Sequence, residues 1–235
     1  MNIGVFDSGI GGLTVLEELV KELPQCNFIF YGDQKNNPYG EKSDEELLKI
    51  TSEIVDYLNE KDCKVIVIAC NTATTRCRNR LIEKYPDNIF IGTVPAVKVA
   101  CDNNYKNTLV LATPATIESE RLHQIVDENI REDQNIYLVP CHGLADAIEQ
   151  NDVDKIEKIL SEIAEEYENK EIDSIVLGCT HYPFIKDRIA RYMPEAVLLD
   201  GSKGVARETR HQLTLNDLMP EDNEKGTLEV VFTKK

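Results

Sequence analysis

Two cysteines occupy matching positions in two similar segments of the chain, and their chemistry is the most informative feature of the sequence. Residues 64–72 read KVIVIACNT and residues 173–181 read DSIVLGCTH, so Cys70 and Cys179 each follow a short apolar run and a small residue. Such runs predict buried parallel strands, and open α/β sheets carry their sites at the carboxyl ends of these strands. Two thiols on either side of a cleft could remove a proton from one face of a carbon atom and return one to the other.

The residues that follow these two thiols distinguish them from ordinary buried cysteines. Cys70 is followed by Asn-Thr and Cys179 by Thr-His, and a helical pattern comes next in both cases. A helix N-terminus favours the thiolate form of a nearby cysteine. His181 could hold that thiolate and pass a proton, or it could be a surface imidazole. A Cys–His pair also fits a thiol hydrolase, although a second symmetric thiol has no role in that scheme. Cys26, Cys63, Cys77 and Cys101 are interpreted as structural thiols.

Two turn-rich segments follow the first two predicted strands. Residues 6–12 read FDSGIGG, and their backbone amides could hold an anion at the start of the next helix. The glycine spacing matches neither a dinucleotide-binding fingerprint nor a P-loop, and a tight turn with Asp7 bonded to local amides is the alternative. Residues 31–40 read YGDQKNNPYG and predict a loop that either lines a cleft or makes an ordinary turn under Tyr39.

Short apolar runs alternate with amphipathic stretches along the chain, which predicts a doubly wound α/β fold with mainly parallel sheets. Residues 43–46 read SDEE and predict a capping box at the start of a helix. The predicted strands are 2–7, 27–32, 65–69, 89–93, 108–112, 136–139, 174–178, 196–200 and 226–233. The predicted helices are 12–23, 44–60, 73–85, 118–129, 153–169 and 183–192.

The plan of the chain repeats at about half its length. Asp7 and Thr113 end corresponding strands 106 residues apart, and Cys70 and Cys179 end corresponding strands 109 residues apart. The repeat predicts two pseudo-symmetric lobes with the active site in the cleft between them. We expect the first lobe to comprise residues 1–96 plus about 205–235, and the second to comprise residues 97–204.

Composition and charge restrict the class of partner. The 235 residues are 42% hydrophobic and 29% charged, which is typical of a soluble globular protein. A net charge of −16 disfavours nucleic acid and anionic membranes, but a few local donors can still bind a small carboxylate. The sequence shows neither a signal peptide nor a membrane span, and its cysteines lack metal-binding spacing. These features predict a cytoplasmic protein with reduced thiols and no metal.

Several motifs are spread over nearly the whole chain: DSGIGGLTV (7–15), YGD (31–33), PYG (38–40), CNTA (70–73), PA (95–96), ATPAT (112–116) and GCTHYP (178–183). These motifs resemble those of the glutamate racemases, which are cofactor-independent amino-acid racemases. The resemblance implies interconversion of L- and D-glutamate, a small-molecule substrate, without metal, nucleotide or pyridoxal phosphate. It also implies that the product D-glutamate supplies peptidoglycan synthesis.

The resemblance also assigns roles to individual residues. Cys70 and Cys179 would be the two acid/base thiols, with Asp7 assisting Cys70, His181 assisting Cys179, and Glu149 near the second thiol. The substrate-binding residues would be Asp7, Ser8, Tyr39, Gly40, Asn71, Thr72, Thr113, Thr116, Thr180 and His181.

Alternatives remain open from the sequence. The chain could be a racemase for aspartate or a broader range of acidic amino acids, because the loop at 34–39 and the segment 113–116 would set substrate length. It could also be a non-catalytic protein that binds a small carboxylate, although loss of a thiol would be expected in that case. A homodimer is one assembly consistent with the sequence.

Overall fold

Two parallel β-sheets form the framework of the chain, whose computed structural model describes residues 1–221 and 225–234. The chain divides into two units, and each sheet lies within one of them. Unit 1 comprises Met1–Thr93 and Ser202–Lys235, and unit 2 comprises Val94–Gly201. Each unit therefore has its own sheet and its own hydrophobic packing.

The predicted strands form within two residues of their expected bounds, so the predicted α/β class is confirmed. The strands are β1 (Asn2–Asp7), β2 (Asn27–Gly32), β3 (Cys63–Ile68), β4 (Ile89–Gly92), β5 (Asn107–Ala112), β6 (Asn135–Pro140), β7 (Ser174–Leu177), β8 (Val197–Leu199) and β9 (Leu228–Phe232). The helices are α1 (Leu13–Glu22), α2 (Asp44–Glu60), α3 (Asn71–Lys84), α4 (Val97–Asp102), α5 (Pro114–Ile117), α6 (Glu120–Asn129), α7 (Leu144–Glu149), α8 (Val153–Glu166), α9 (Lys186–Tyr192) and α10 (Ser202–Leu215).

The sheet of unit 1 has the strand order β4-β3-β1-β2-β9, with every neighbouring pair parallel. Side chains on β3 alternate between two cores, because successive residues of a strand point to opposite faces. Val65 and Val67 lie in the core that includes α1 and α10, whereas Ile66 and Ile68 lie in the core that includes α2 and α3. Helices therefore cover both faces, as a parallel sheet requires.

The sheet of unit 2 has the order β6-β5-β7-β8, again with parallel pairs only. Leu109 and Leu111 of β5 pack in a core with residues of α7, α8 and α9. Val110 of β5 and Val176 of β7 pack on the other side with residues of α4 and α6. Unit 2 is therefore also covered by helices on both faces.

The two sheets repeat one topology, which confirms the predicted pseudo-symmetry. The order β4-β3-β1-β2 in unit 1 corresponds strand by strand to β8-β7-β5-β6 in unit 2. In each sheet the chain first adds a strand on one side of its first strand and then crosses to the other side. The strand order therefore reverses between β1 and β3 in unit 1 and between β5 and β7 in unit 2. This switch point is where open α/β sheets leave a crevice for ligands outside the carboxyl ends of the strands.

The helices agree less closely with the expectation. The capping box at Ser43 and Glu46 forms as predicted at the start of α2. The sequence patterns did not predict α4, α5, α7 or α10. With six, four and six residues, α4, α5 and α7 are too short for a helical period to be evident, and α10 carries Gly204 in its first turn.

Among the described residues, none of the helices has the length and apolar composition that crossing a membrane would require.

Two glycines of unit 1 should respond in opposite ways to substitution by alanine. A Cβ at Gly12 would lie 2.5 Å from the Asp7 Cβ and 2.9 Å from a Phe30 ring carbon, whereas a Cβ at Gly204 would meet nothing within 4 Å. We expect Gly12→Ala to destabilise the protein by about 1–3 kcal/mol through overpacking. Gly204→Ala should stabilise it by up to about 1 kcal/mol, because glycine is unfavourable within a helix.

Urea unfolding of the wild type and both variants measures the two effects as shifts of the midpoint at constant slope. An unchanged midpoint for Gly12→Ala would show that the turn after β1 has room for a side chain, contrary to this packing.

Candidate active site

The thiol of Cys70 lies at the junction between β3 and α3 in unit 1. Cys70 is buried and is the N-cap residue of α3, and its sulfur accepts a hydrogen bond from the Ala73 amide at 3.5 Å. Its thiol also lies 4.0 Å from the Ser8 hydroxyl, to which it can donate. The amide and the helix N-terminus both favour negative charge on this sulfur.

Asp7 and Tyr39 lie close to this thiol. Asp7 ends β1, next to β3, and its fully buried carboxylate accepts a hydrogen bond from the Gly9 amide at 3.1 Å. The pKa of the buried Tyr39 hydroxyl is raised well above its usual range, first by burial, then by Asp33, and also by Cys70 and Asp7. The tyrosine therefore remains a neutral hydrogen-bond donor beside two groups that can carry negative charge.

Asp33 is a member of this site that the sequence reasoning did not assign. It is buried just after β2, and its carboxylate accepts hydrogen bonds from the Tyr39 hydroxyl at 2.9 Å, the Asn36 amide at 2.9 and 3.0 Å, and the Thr233 hydroxyl at 3.0 Å. The available signal was its position in the YGD motif, since an acidic residue at the end of a buried strand needs partners.

The first turn of α3 presents further polar groups at the same strand ends. Asn71 and Thr72 are both buried, and Asn71 Oδ1 has no hydrogen-bond partner among the residues that the structure describes. A buried acceptor without a partner is unfavourable unless a ligand satisfies it. Gly40, in contrast, is exposed, in the single 3-10 turn Tyr39–Glu41 that also contains the buried Tyr39.

In unit 2, Cys179 belongs to a connected group of three side chains. The sulfur of Cys179 lies 3.8 Å from His181 Nδ1, and His181 Nε2 lies 2.6 Å from Glu149 Oε2. The side chains of His181 and Glu149 are only 3% and 4% exposed. Because the carboxylate accepts from Nε2–H, it orients the imidazole with Nδ1 toward the thiol. Helix α7 supplies this glutamate at its last residue.

The chain after Cys179 differs from the expected helix start. The Tyr182 amide donates to the Cys179 carbonyl at 3.1 Å, which begins a single 3-10 turn, Tyr182–Ile185, and α9 begins only at Lys186. Pro183 has no N–H to donate to the Cys179 carbonyl, so an α-helix cannot run continuously from Thr180. Thr180 and His181 are buried between the strand and this turn.

Thr113 and Thr116 form a small hydroxyl cluster at the end of β5, the strand beside β7. Thr113 caps α5 by accepting from the Thr116 amide at 3.4 Å, and its hydroxyl donates to the Thr116 hydroxyl at 3.0 Å. Thr116 is fully buried and Thr113 is half-buried.

Cys141 and Tyr182 surround Cys179 and were not assigned from the sequence. Burial raises the pKa of the Cys141 thiol to about 12. Burial, then Cys141 and Cys179, raise the pKa of the Tyr182 hydroxyl well above its usual range. Both groups therefore stay neutral beside Cys179. The signal for Cys141 was its place directly after β6, which neighbours β5.

The assigned residues thus form two groups, one in each unit. Unit 1 contains Cys70, Asp7, Ser8, Tyr39, Gly40, Asn71 and Thr72, and unit 2 contains Cys179, His181, Glu149, Thr113, Thr116 and Thr180.

The remaining candidate groups lie elsewhere. All seven cysteines are free and buried, and Cys63 begins β3, two residues before the predicted start of that strand, with its side chain packed in a core of unit 1. His123 and His211 are exposed on α6 and α10. The described residues include no group of three or more His, Cys, Asp or Glu side chains arranged to hold a metal ion.

Comparison with known proteins adds independent findings. The model of the Asp/Glu/hydantoin racemase family matches residues 3–209. A glutamate racemase of Clostridium perfringens is 40% identical over 232 residues, which cover 97% of this chain and 89% of that protein. A glutamate racemase of Clostridium botulinum is 41% identical over 237 residues, covering 99% and 91%.

The structure of this chain is also similar to solved structures of glutamate racemases. The glutamate racemase from Francisella tularensis in complex with D-glutamate is 30% identical with a TM-score of 0.85, covering 100% of this chain and 88% of that one. The Escherichia coli glutamate racemase in complex with L-glutamate and the activator UDP-MurNAc-ala is 28% identical with a TM-score of 0.83, covering 97% and 88%.

Three buried thiols other than the two proposed acid/base thiols should be alkylated slowly near neutral pH. They are Cys63, Cys77 and Cys141. Burial raises the pKa of Cys63 and Cys77 to about 11 and that of Cys141 to about 12. A raised thiol pKa means that the protonated, unreactive form persists, so at pH ~8 only about one in a thousand or fewer is thiolate. We expect iodoacetamide to alkylate them at least about 100-fold more slowly in the folded protein than in urea.

Peptide mass spectrometry after timed alkylation measures each cysteine separately. Equal rates at any of these three positions in folded and unfolded protein would contradict the assignment of a raised pKa there.

Proposed function

Because the chain belongs to the Asp/Glu/hydantoin racemase family, we propose that it is a glutamate racemase that interconverts L- and D-glutamate by proton transfer at Cα. The observation that carries the proposal is the equivalence of the two thiols. Cys70 follows β3 and Cys179 follows β7, which are corresponding strands of two sheets with one topology. Roughly 40% identity to glutamate racemases over nearly the whole chain supports glutamate as the substrate.

The proposed reaction inverts the α-carbon with two thiols. One thiolate accepts the α-proton, and the other thiol donates a proton to the opposite face of the resulting carbanion. The proton lost from the carbon is replaced, and the two sulfurs exchange protonation states, so the reverse reaction uses them in the opposite order. Each direction requires one thiolate and one thiol, so the rate should have a bell-shaped dependence on pH.

Each unit contains groups suited to stabilising its own thiolate. In unit 1 the Ala73 amide donates to Cys70, and the Ser8 hydroxyl lies within reach. In unit 2 His181 can take up a proton at Nδ1 and pair with a Cys179 thiolate, while Glu149 stabilises the imidazolium through Nε2. Asp7, near Cys70, would assist proton movement on the unit 1 side.

The α-proton of an amino acid is very weakly acidic, so the carbanion also needs stabilisation. Buried hydroxyl and amide donors at the strand ends could hold the α-carboxylate and its developing charge. Asn71 Oδ1, which has no hydrogen-bond partner among the described residues, is an acceptor that suits the α-ammonium of the substrate. An α-ammonium that stays protonated lowers the energy of the carbanion. The donors at these strand ends are Ser8, Asn71, Thr72, Thr113, Thr116 and Thr180.

In the cell, the proposed role is to supply D-glutamate for peptidoglycan synthesis. A cytoplasmic location is part of this proposal, since all seven cysteines are free and the reaction depends on reduced thiols. A homodimer, one assembly consistent with the sequence, stays a prediction.

The test follows racemisation and deuterium incorporation in D₂O with each enantiomer of glutamate and aspartate. We expect the wild type to racemise glutamate and to place deuterium at Cα. Cys70→Ala and Cys179→Ala should each lower the racemisation rate by about 10²–10⁴-fold or more, because each removes one acid/base group. Cys77→Ala in α3 and Cys101→Ala in α4 are matched controls, since both remove a buried thiol from the same unit as one of the candidates.

Full racemisation by either Cys70→Ala or Cys179→Ala would rule out the two-thiol mechanism. If the wild type catalysed no deuterium exchange with either acid, a glutamate or aspartate racemase would be ruled out. If it racemised aspartate in preference to glutamate, aspartate would be the substrate.

A further inference from the structure

The short segment that carries Tyr39 and Gly40 is held in place from α3. We define residues 38–42 as the 38–42 loop, which contains the 3-10 turn Tyr39–Glu41. We infer that Arg76 is a positioning residue that fixes the 38–42 loop for substrate binding, an inference that rests on the proposed racemase function.

The guanidinium of Arg76 contacts three acceptors. Its Nη2 donates to the Lys42 carbonyl at 2.7 Å and its Nη1 to the Tyr39 carbonyl at 3.4 Å, so both ends of the turn are held. Its Nε donates to Asp44 Oδ1 at 2.6 Å, at the first residue of α2. The arginine side chain is only 18% exposed, so its two bonds to the loop carbonyls are partly shielded from water, whereas Asp44 is 62% exposed.

The geometry requires an arginine. Two backbone carbonyls and a carboxylate converge on one side chain, and the planar guanidinium has five N–H groups in a fixed fork that can reach several acceptors at once. A lysine ammonium at this position could keep the charge but could not reproduce the fork. Removing the guanidinium leaves partly buried carbonyls with fewer donors.

Arg76 joins the 38–42 loop to α3, the helix whose N-cap is Cys70. At the other side of the tyrosine, Asp33 holds the Tyr39 hydroxyl at 2.9 Å. The tyrosine is thus fixed at its hydroxyl by Asp33 and at its backbone by Arg76. Cys70 itself is positioned separately, by the pairing of β3 with β1 and by the Ala73 amide. Loss of Arg76 should therefore loosen substrate binding more than it disturbs the thiol.

Arg80 offers a matched control on the same helix. It lies four residues after Arg76 and also bonds an acidic residue at the start of α2, with Nη2 2.9 Å from Glu45 Oε2. Its side chain is 41% exposed and that of Glu45 is 79% exposed. An exposed pair of this kind contributes little to stability. The two arginines therefore have the same charge, lie on the same helix and contact the same partner helix. Within the part of the chain that the structure describes, however, Arg80 forms no hydrogen bond to the 38–42 loop.

The experiment compares Arg76→Ala, Arg76→Lys and Arg80→Ala with the wild type. Steady-state kinetics with both enantiomers of glutamate give KM and kcat, and hydrogen–deuterium exchange reports the amides of the 38–42 loop. We expect Arg76→Ala to raise KM by about 10- to 100-fold with kcat changed by less than about threefold, since hydrogen bonds to a charged group are lost. Arg76→Lys should give an intermediate KM, and millimolar guanidinium should partly restore Arg76→Ala. Arg80→Ala should match the wild type.

Faster amide exchange in the 38–42 loop of Arg76→Ala, but not of Arg80→Ala, would support the inference independently of activity. The inference is overturned if KM and loop exchange in both Arg76 variants match those of Arg80→Ala. It is also overturned if kcat falls as much as KM rises and guanidinium restores neither, because the arginine would then be only a structural residue. Absence of racemisation in the wild type and in Arg80→Ala would instead reject the proposed function, while loop exchange would still show whether Arg76 holds the loop.

Discussion

The parallel pairing of neighbouring strands, β1 with β3 and β5 with β7, is the constraint on which the candidate site depends. Phe6 pairs with Ile68 and Leu111 pairs with Leu177, so continuing each register by two residues places Ser8 opposite Cys70 and Thr113 opposite Cys179. Because parallel strands end at the same edge of a sheet, each thiol has a hydroxyl residue beside it without any long loop to arrange the meeting. The same parallel register of two neighbouring strands thus occurs once in each unit.

Around this shared backbone plan the two units differ in how they manage buried charge. Unit 1 satisfies the Asp33 carboxylate with three neutral donors, a phenol, an amide and a hydroxyl. Unit 2 pairs Glu149 with an imidazole that can itself carry charge. Burying a carboxylate is unfavourable unless it is hydrogen-bonded, so both arrangements stabilise the folded protein. The repeat is therefore close in topology and divergent in electrostatics.

Local patterns in the sequence were sufficient for the strands, the capping box of α2 and the position of both thiols at strand ends. These features depend on residues within a few positions of one another. The contact between Asp33 and Thr233 joins residues 200 positions apart, and the contacts of Arg76 with Tyr39 and Lys42 join residues 37 and 34 apart. No periodicity reports such contacts, because they arise only when the sheet and its helices have packed. Glu149 could be associated with the second thiol only by resemblance to a family, since its six-residue helix gives no evident pattern.

The return of the chain to unit 1 through α10 and β9 has a consequence for how the protein is made. Residues 94–201 are contiguous, so unit 2 can fold as soon as they leave the ribosome. Unit 1 is interrupted, and β9 is synthesised only after the whole of unit 2. Until then the edge of β2 lacks its neighbour, and Asp33 lacks the hydroxyl of Thr233. A nascent chain released early would therefore contain a finished second unit beside an unfinished first one, with Cys70 present but one of its supporting networks incomplete.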